Sequence, residues 1–222
     1  VLELEFRRAV VVQNCLLDIA DGMLTHLVGY NSRVTKARGL EKLVRTMANY
    51  LARKFENAIE NPGSRERLPL KIRTEVGVKK AAQRMHTLAE NCYSVDYRTP
   101  NKRGTIKKFE AAEVGFISNV GIRLGQDVPR IGGVLFADPL KSVVDIAQAA
   151  GRAARTFGNK QRYYVYLPVQ NTNLDDLKTA QSQGDQDEDV ALLVERSFVP
   201  IRDILRRTRE SGEHSLVVGV LR

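Results

Sequence analysis

Hydrophobic residues recur every three or four positions in the first part of the chain. Apolar side chains from Leu40 to Ile59 follow this spacing, which predicts one apolar stripe along a helix of about twenty residues. The sequence Asn-Pro-Gly at 61–63 then ends the helix, because proline cannot continue its hydrogen-bond ladder. The pattern predicts a helical, connecting segment over residues 1–62 rather than part of a sheet.

After residue 62, short apolar runs alternate with helix-like segments. Strands are predicted over residues 68–74, 92–98, 114–120, 133–137 and 162–169, and helices over 78–90, 102–112 and 142–155. The runs at 114–120 and 133–137 are almost wholly apolar, which is typical of parallel strands buried on both faces. Strands that alternate with helices predict an α/β domain with a mostly parallel sheet flanked by helices.

The last part of the chain has a different composition. Residues 171–195 contain seven Asp or Glu and one Lys, which predicts an acidic loop. Apolar residues between 190 and 209 return to helical spacing. We therefore expect a connecting helical segment over 1–62, an α/β lobe over 63–170, and an acidic loop with a helical extension over 171–222. The strand at 162–169 is expected to be the last one.

Charge is unevenly distributed. The chain has 35 Lys and Arg against 26 Asp and Glu, a formal net charge of +9. Twelve basic and four acidic residues lie between Asn61 and Lys108. A basic stretch of this kind is typical of a protein that binds a polyanion, most often nucleic acid. A solvated basic surface without a partner is the alternative.

Several classes of protein are excluded by composition. No run approaches the roughly 20 apolar residues of a membrane span, and no signal-peptide core is present, so we expect a cytoplasmic protein. Cys15 and Cys92 lie far apart and only three histidines occur, which argues against a disulfide framework or a zinc cluster. Residue 1 is Val rather than Met, so we expect a piece of a longer protein.

The strongest chemical motif lies in the helix predicted at 142–155. It reads Gln-x-x-Gly-Arg-x-x-Arg from Gln148 to Arg155. Arg152 and Arg155 are three positions apart, so a helix projects both from one face. Arginine presents a fork of donors that matches phosphate oxygens, which favours an anionic ligand. A surface helix whose arginines pair with nearby acids is the alternative.

In its context this motif resembles the sixth motif of superfamily 2 helicases of the DEAD/DEAH type, especially those related to restriction-enzyme motor subunits and to large predicted phage or plasmid helicases. The Q-x-x-G-R-x-x-R sequence follows a strand that ends in Phe-Ala-Asp-Pro at 136–139. The residues from Phe116 to Val120, with the G-x-D-x-P sequence at 125–129, are similar to the fifth motif. Residues 102–109 resemble the basic helix before that strand. The matches extend over residues 68–209 in the family's order.

The resemblance implies the C-terminal RecA-like lobe of such a motor. In that family two lobes enclose ATP, and the second lobe supplies arginines. By position, Arg155 corresponds to the arginine finger on the γ-phosphate and Arg152 to its companion. Gln148, Gly125 and Asp127 correspond to residues that bind the nucleotide. ATP and Mg²⁺ are then held mainly by a preceding lobe of the same parent chain, and no metal ligand is assigned in this chain.

The resemblance also implies a nucleic-acid track, for which we expect DNA, although the sequence itself does not distinguish DNA from RNA. Ser118 and Asn119, at the end of their strand, correspond to residues near the phosphate backbone. Lys102 and Arg103 of the basic helix are expected to contact the same partner. The implied partners are therefore DNA and the preceding lobe, with no membrane.

Two departures from the family pattern leave alternatives open. The chain contains neither a G-x-x-x-x-G-K-[ST] sequence nor a DEAD or DExH box, so by itself it is not expected to hydrolyse ATP efficiently. The turn at 122–125 is one residue shorter than the fifth motif of many relatives. A RecA-like domain that binds or scaffolds nucleic acid without motor activity is the first alternative. A small-molecule α/β enzyme, with a pocket at the carboxyl ends of the strands, is the second.

Overall fold

In the part of the chain that the structure describes, six parallel strands form one sheet with helices packed against it. The computed structural model describes residues 2–120, 128–138, 149, 162–170 and 215–221. The strands are β1 (His26–Asn31), β2 (Cys92–Val95), β3 (Gly115–Val120), β4 (Gly133–Phe136), β5 (Arg162–Gln170) and β6 (Ser215–Leu221). Their order is β2-β3-β1-β4-β5-β6, and every pairing is parallel. The predicted α/β fold with a RecA-like parallel sheet is confirmed.

Four α-helices are described around this sheet. They are α1 (Leu2–Ala20), α2 (Val34–Glu60), α3 (Glu75–Glu90) and α4 (Lys102–Ala111), and a 3₁₀ segment, Pro62–Arg67, follows α2. Helices α1, α2 and α3 pack against one another, with α2 over β1, β2 and β3 and α1 over β5. Helix α4 packs against β2 and β3. The main apolar core lies between α1, α2, α3 and the sheet.

Strand β1 is the central element of the described fold. All six of its residues are buried, and it pairs with β3 on one side and β4 on the other. Gly29 lies where α2 and β3 come closest to it. A Cβ atom at this position would lie 2.7 Å from Cδ2 of Leu40 and 2.9 Å from Cζ of Phe116. The glycine therefore permits the close approach of the helix to the strand.

Most of the predicted elements are confirmed. Helix α2 carries the predicted apolar stripe, and β2 to β5 lie where strands were expected. Strands β3 and β4 are buried almost throughout, as predicted for parallel strands with both faces covered. In α4 the side chains of Ile106 and Phe109 point inward. The helix predicted at 142–155 lies outside the described residues except for Ala149, which is helical.

Three expectations are wrong. The first 62 residues are not only helical, because β1 lies within them and occupies the middle of the sheet. Residues 68–74 are not a strand: the N–H groups of Ile72 and Arg73 bond back to Pro69 and Leu70, which makes turns, and Thr74 caps α3. Strand β5 is not the last one, because β6 follows and pairs with it in parallel. The sheet thus extends beyond the predicted 63–170 lobe at both ends.

His26, the first residue of β1, is buried in contact with α4. Its Nε2 atom lies 3.0 Å from the carbonyl oxygen of Phe109 and donates to it, and its ring meets the Phe109 ring edge-on at 4.9 Å. Burial and the positive charge of Arg130 lower the pKa of His26 from 6.5 to about 4. The imidazole is therefore neutral in the folded protein at neutral pH.

The substitution Gly29→Ala should lower the free energy of unfolding by about 1–3 kcal/mol, because the added methyl group overpacks the contact between α2 and β1. Gly39→Ala is the matched control, since no atom lies within 4 Å of a Cβ at that exposed helical position. There the substitution should stabilise the protein by about 0.8–1 kcal/mol through helix propensity. Urea unfolding at pH 7.5 measures both, and a Gly29→Ala variant as stable as the wild type would contradict the packing.

Acid should destabilise the fold through His26. The unfolded state takes up a proton near pH 6.5 and the folded state only near pH 4, so this contribution to stability is lost as the pH falls between these values. The loss amounts to about 3 kcal/mol at most. Urea titrations at pH 7.5, 6, 5 and 4 on wild type and His26→Gln isolate the effect, because the difference in free energy of unfolding between the two proteins should change across this pH range. A difference that stays constant with pH would rule out the contribution of His26.

Candidate functional site

The carboxyl ends of the strands form one edge of the sheet, because every strand pairing is parallel. From β1 the chain continues towards β2 on one side, whereas from β4 it continues towards β5 on the other side. In open α/β sheets such a divergence leaves a crevice outside the carboxyl ends, where ligands bind. The ends of β1 and β4 are therefore the place where a site is expected.

Asp138 lies at this divergence, two residues after the end of β4, and only 1% of it is exposed. Its Oδ2 atom accepts hydrogen bonds from the backbone N–H and the hydroxyl of Ser32, both at 3.0 Å. Its Oδ1 atom accepts from Lys36 Nζ at 3.0 Å and from Arg8 Nη2 at 2.6 Å. One carboxylate thus joins α1, the turn after β1, the start of α2 and the end of β4.

The groups that bind the Asp138 carboxylate lower its pKa by more than burial raises it. Burial alone would raise the pKa of this carboxyl, but the Ser32 N–H, Lys36 and Arg8 together hold the pKa below its ordinary value of 3.8. Arg8 is itself buried and also donates to the carbonyl oxygen of Ala137 at 3.0 Å. Lys36 is different, because 41% of its side chain is exposed. The pair with Arg8 is therefore the buried one.

The two strand-end residues predicted to contact nucleic acid are buried here. Ser118 is 0% exposed and Asn119 is 1% exposed. The Ser118 hydroxyl accepts a hydrogen bond at 3.0 Å from Nδ2 of Asn31, the last residue of β1. Within the described residues, the buried Oδ1 atom of Asn31 has no hydrogen-bond partner. These polar groups lie at the carboxyl edge, but the structure does not present the Ser118 and Asn119 side chains to solvent.

Lys102 and Arg103 begin helix α4, which starts near the same edge. The strand before it, β2, ends at Val95, which is paired with Asn119 of β3. Asn101 caps the helix in a left-handed conformation with φ of 48°, and its side chain accepts from the N–H of Gly104. Arg103 is exposed and Lys102 is half-buried. The fold thus brings the predicted basic pair close to the predicted strand-end residues.

The loop between β2 and α4 carries an exposed pair that the sequence interpretation missed. Tyr97 is 76% exposed, and the guanidinium of Arg98 lies 5.0 Å from the centre of its ring. Buried Asp96 fixes the loop: its carboxylate accepts from Arg98 N–H, and its own N–H donates to the Thr99 hydroxyl. An aromatic residue in a turn beside a basic stretch is the signal that could have identified this pair.

Five predicted site residues lie outside the part of the chain that the structure describes. These are Gly125, Asp127, Gln148, Arg152 and Arg155. The described strands that precede these residues in sequence are β3 and β4, which pair with β1 on its two sides. Both strands end at the carboxyl edge of the sheet.

The described residues contain neither a metal-binding cluster nor a membrane-spanning helix. No group of three His, Cys, Asp or Glu side chains among them could hold a metal ion. None of the described helices combines the length and the apolar character that crossing a membrane requires.

Comparisons with protein-family models, curated proteins and solved structures give no significant match to the chain. Any assignment of function therefore depends on the residues and geometry of the chain itself.

The substitution Asp138→Asn should lower the free energy of unfolding by about 3 kcal/mol, because it removes the buried carboxylate charge that pairs with the buried Arg8 guanidinium. Lys36→Met is the control, and it should change stability by less than about 1 kcal/mol because Lys36 is part-exposed. Urea unfolding of both variants provides the comparison.

A comparison of the wild type with Asp138→Asn at several pH values gives a second test. The pKa of Asp138 lies below 3.8 in the folded state, so its contribution is present above that pH and is lost as the pH falls through the lowered value. The wild type should therefore keep its advantage over Asp138→Asn at pH 5 and lose it in stronger acid. Equal stability of the two proteins at pH 7 would contradict the ion pair.

Proposed function

We propose that this chain is the C-terminal motor lobe of an ATP-dependent DNA helicase or translocase. In this role it supplies Arg152 and Arg155 to ATP that a preceding lobe of the parent protein holds. One observation supports the proposal: strands β3 and β4, each of which precedes one of the two motif-like stretches in sequence, lie on either side of β1. Their carboxyl ends, far apart in sequence, lie at one edge of the sheet, where the α/β architecture forms its ligand crevice.

The charge at this edge supports a polyanionic partner. Arg98 and Arg103 are exposed there, Lys36 and Arg38 are partly or largely exposed, and Tyr97 offers a ring for stacking. Cationic side chains neutralise backbone phosphates, and an exposed ring stacks on an unpaired base. A nucleic-acid strand along the ends of β2 and β3 would meet this cluster.

In the proposed reaction the arginines act on the nucleotide electrostatically. Negative charge on the transferred phosphoryl group spreads over its oxygens, and a guanidinium aimed at it stabilises that charge, an effect of roughly 10³- to 10⁵-fold in rate. Arg155 is assigned to the γ-phosphate and Arg152 to a supporting contact. Gln148, Gly125 and Asp127 are assigned to nucleotide binding.

Mg²⁺ is assigned to the preceding lobe. The two buried carboxylates described at the edge are both engaged by basic groups, Asp96 by Arg38 and Asp138 by Arg8 and Lys36. Such a donor set fits an edge that faces an anion better than one that binds a metal ion. The chain also has no phosphate-binding loop, so the groups that cradle ATP must come from the other lobe.

The alternative is a RecA-like domain that binds nucleic acid without motor activity. The basic cluster around Tyr97 and Arg98 favours it, because that cluster requires no nucleotide to function. Both functions give nucleic-acid binding that weakens steeply with salt. They differ in their dependence on ATP.

The test is ATP hydrolysis by the longest native protein that contains this chain, with and without DNA. The substitution Arg155→Ala should reduce DNA-stimulated turnover by about 10³-fold or more while the protein stays folded. Lys80→Ala, which removes one exposed charge from α3, is the control and should leave turnover unchanged. Arg98→Gln with Arg103→Gln should raise the DNA concentration needed for half-maximal stimulation without changing the basal rate.

Two results would reject the motor function. Loss of the folded state in Arg155→Ala would mean that the residue is structural rather than a finger. Absence of ATP turnover in the wild-type protein, with DNA binding retained, would leave the binding domain as the function.

A further inference from the structure

A second basic surface lies far from the carboxyl edge. A groove of about 440 Å³ is formed by the second half of α2 together with the 3₁₀ segment after it. Helix α2 starts after the carboxyl end of β1, and at 1.5 Å per residue Arg53 lies about 28 Å along the helix from Val34. The groove is therefore separate from the site around Asp138 and from the Tyr97 loop.

The groove is cationic. Arg53, Lys54 and Arg67 line it, and no Asp or Glu is among the residues that do. All three cations are exposed, and none has an ion-pair partner within the described residues. Basic residues elsewhere on this chain do form ion pairs with a nearby acid, for example Lys79 with Glu75. Three unpaired cations around one concave surface favour an anionic ligand.

The shape of the groove is fixed by hydrogen bonds that do not use these three cations. Arg65 donates from Nε to the carbonyl oxygen of Ala58 at 2.8 Å and from Nη2 to that of Ile59 at 3.2 Å. These bonds hold the 3₁₀ segment against the last turn of α2. Leu68 is buried at the groove. The side chain of Arg73 donates to the Leu68 carbonyl oxygen at 2.7 Å, and this bond holds the chain that follows the 3₁₀ segment.

An aromatic ring and an amide complete the lining. Tyr50 is 63% exposed, which is unusual for a large side chain with an apolar ring. Tyr50 and Lys54 are four residues apart on α2, as are Arg53 and Asn57, so the two pairs form adjacent rows along one face of the helix. Asn57 also lines the groove, and its Oδ1 atom accepts a hydrogen bond from Asn61 at 3.1 Å.

We propose that this groove binds single-stranded nucleic acid. The cations match successive backbone phosphates, and the Tyr50 ring offers a stacking platform for an unpaired base. Duplex fits less well, because its bases are already stacked on one another and cannot stack on Tyr50. An acidic peptide would use the cations but not the ring. Binding at the groove requires neither ATP nor a second lobe, so it goes beyond the proposed motor function and can fail independently of it.

The test uses a fluorescein-labelled 20-nucleotide oligothymidylate and measures fluorescence anisotropy without ATP. Arg98→Gln with Arg103→Gln serves as the background, so that binding at the carboxyl edge does not dominate the signal. In that background Tyr50→Ala should weaken binding by at least about five-fold. Arg53→Gln with Arg67→Gln should weaken it too, and should lower the slope of log affinity against log salt by about 1.4 for two lost phosphate contacts.

Matched charge removal provides the control. Lys42→Gln with Lys80→Gln removes two exposed positive charges from α2 and α3 outside the groove and should leave affinity and salt slope unchanged. Thermal unfolding checks that each variant is folded. The proposal is overturned if the control pair weakens binding as much as the groove pair, if Tyr50→Ala binds like its parent, or if polyglutamate of equal charge competes as well as unlabelled oligothymidylate. The last result would indicate an acidic protein partner.

Discussion

The close approach of helix α2 to strand β1 is the contact on which the rest of the described fold depends. A hydrogen atom in place of a side chain at Gly29 allows Leu40 and Phe116 to meet over the strand. Strand β1 can then be covered on both faces and paired on both edges, by β3 and by β4. Because all pairings are parallel, residues from distant parts of the chain end at one edge. The candidate site is a consequence of that geometry.

The sequence predicted strands well where the apolar run was uninterrupted, as in β3 and β4. Strand β1 was missed because it is six residues long, contains Gly29 and Asn31, and lies between two long helices. Its burial comes entirely from tertiary contacts, which no local pattern encodes. The run at 68–74 failed for the opposite reason, since its alternating apolar and basic residues imitate a strand although local hydrogen bonds make turns. Strand β6 was not predicted, because the acidic stretch before it led us to expect only a loop and a helix in this part of the chain.

Some charged residues of the candidate site could be predicted from the sequence, but the contacts between its residues could not. Basic composition identified Lys102 and Arg103, and the structure places them where β2 and β3 end. The role of Asp138 depends on Arg8, which is 130 residues away, so no spacing could have indicated it. Ser118 and Asn119 show a further limit: a polar residue at the end of a central strand can face a ligand or a neighbouring strand, and sequence alone does not distinguish them.

The position of β1 also determines the order in which the protein can fold during synthesis. The ribosome makes β1, which ends at Asn31, well before its partners β3 and β4, which end at residues 120 and 136. Until then the strand has two open edges and the apolar face of α2 has no sheet to cover. Contacts of such long sequence separation form slowly and leave apolar surface exposed meanwhile. The central strand is therefore completed at Asn31 but can pair on both edges only after Phe136 has been made, so its edges stay open over that whole stretch of elongation.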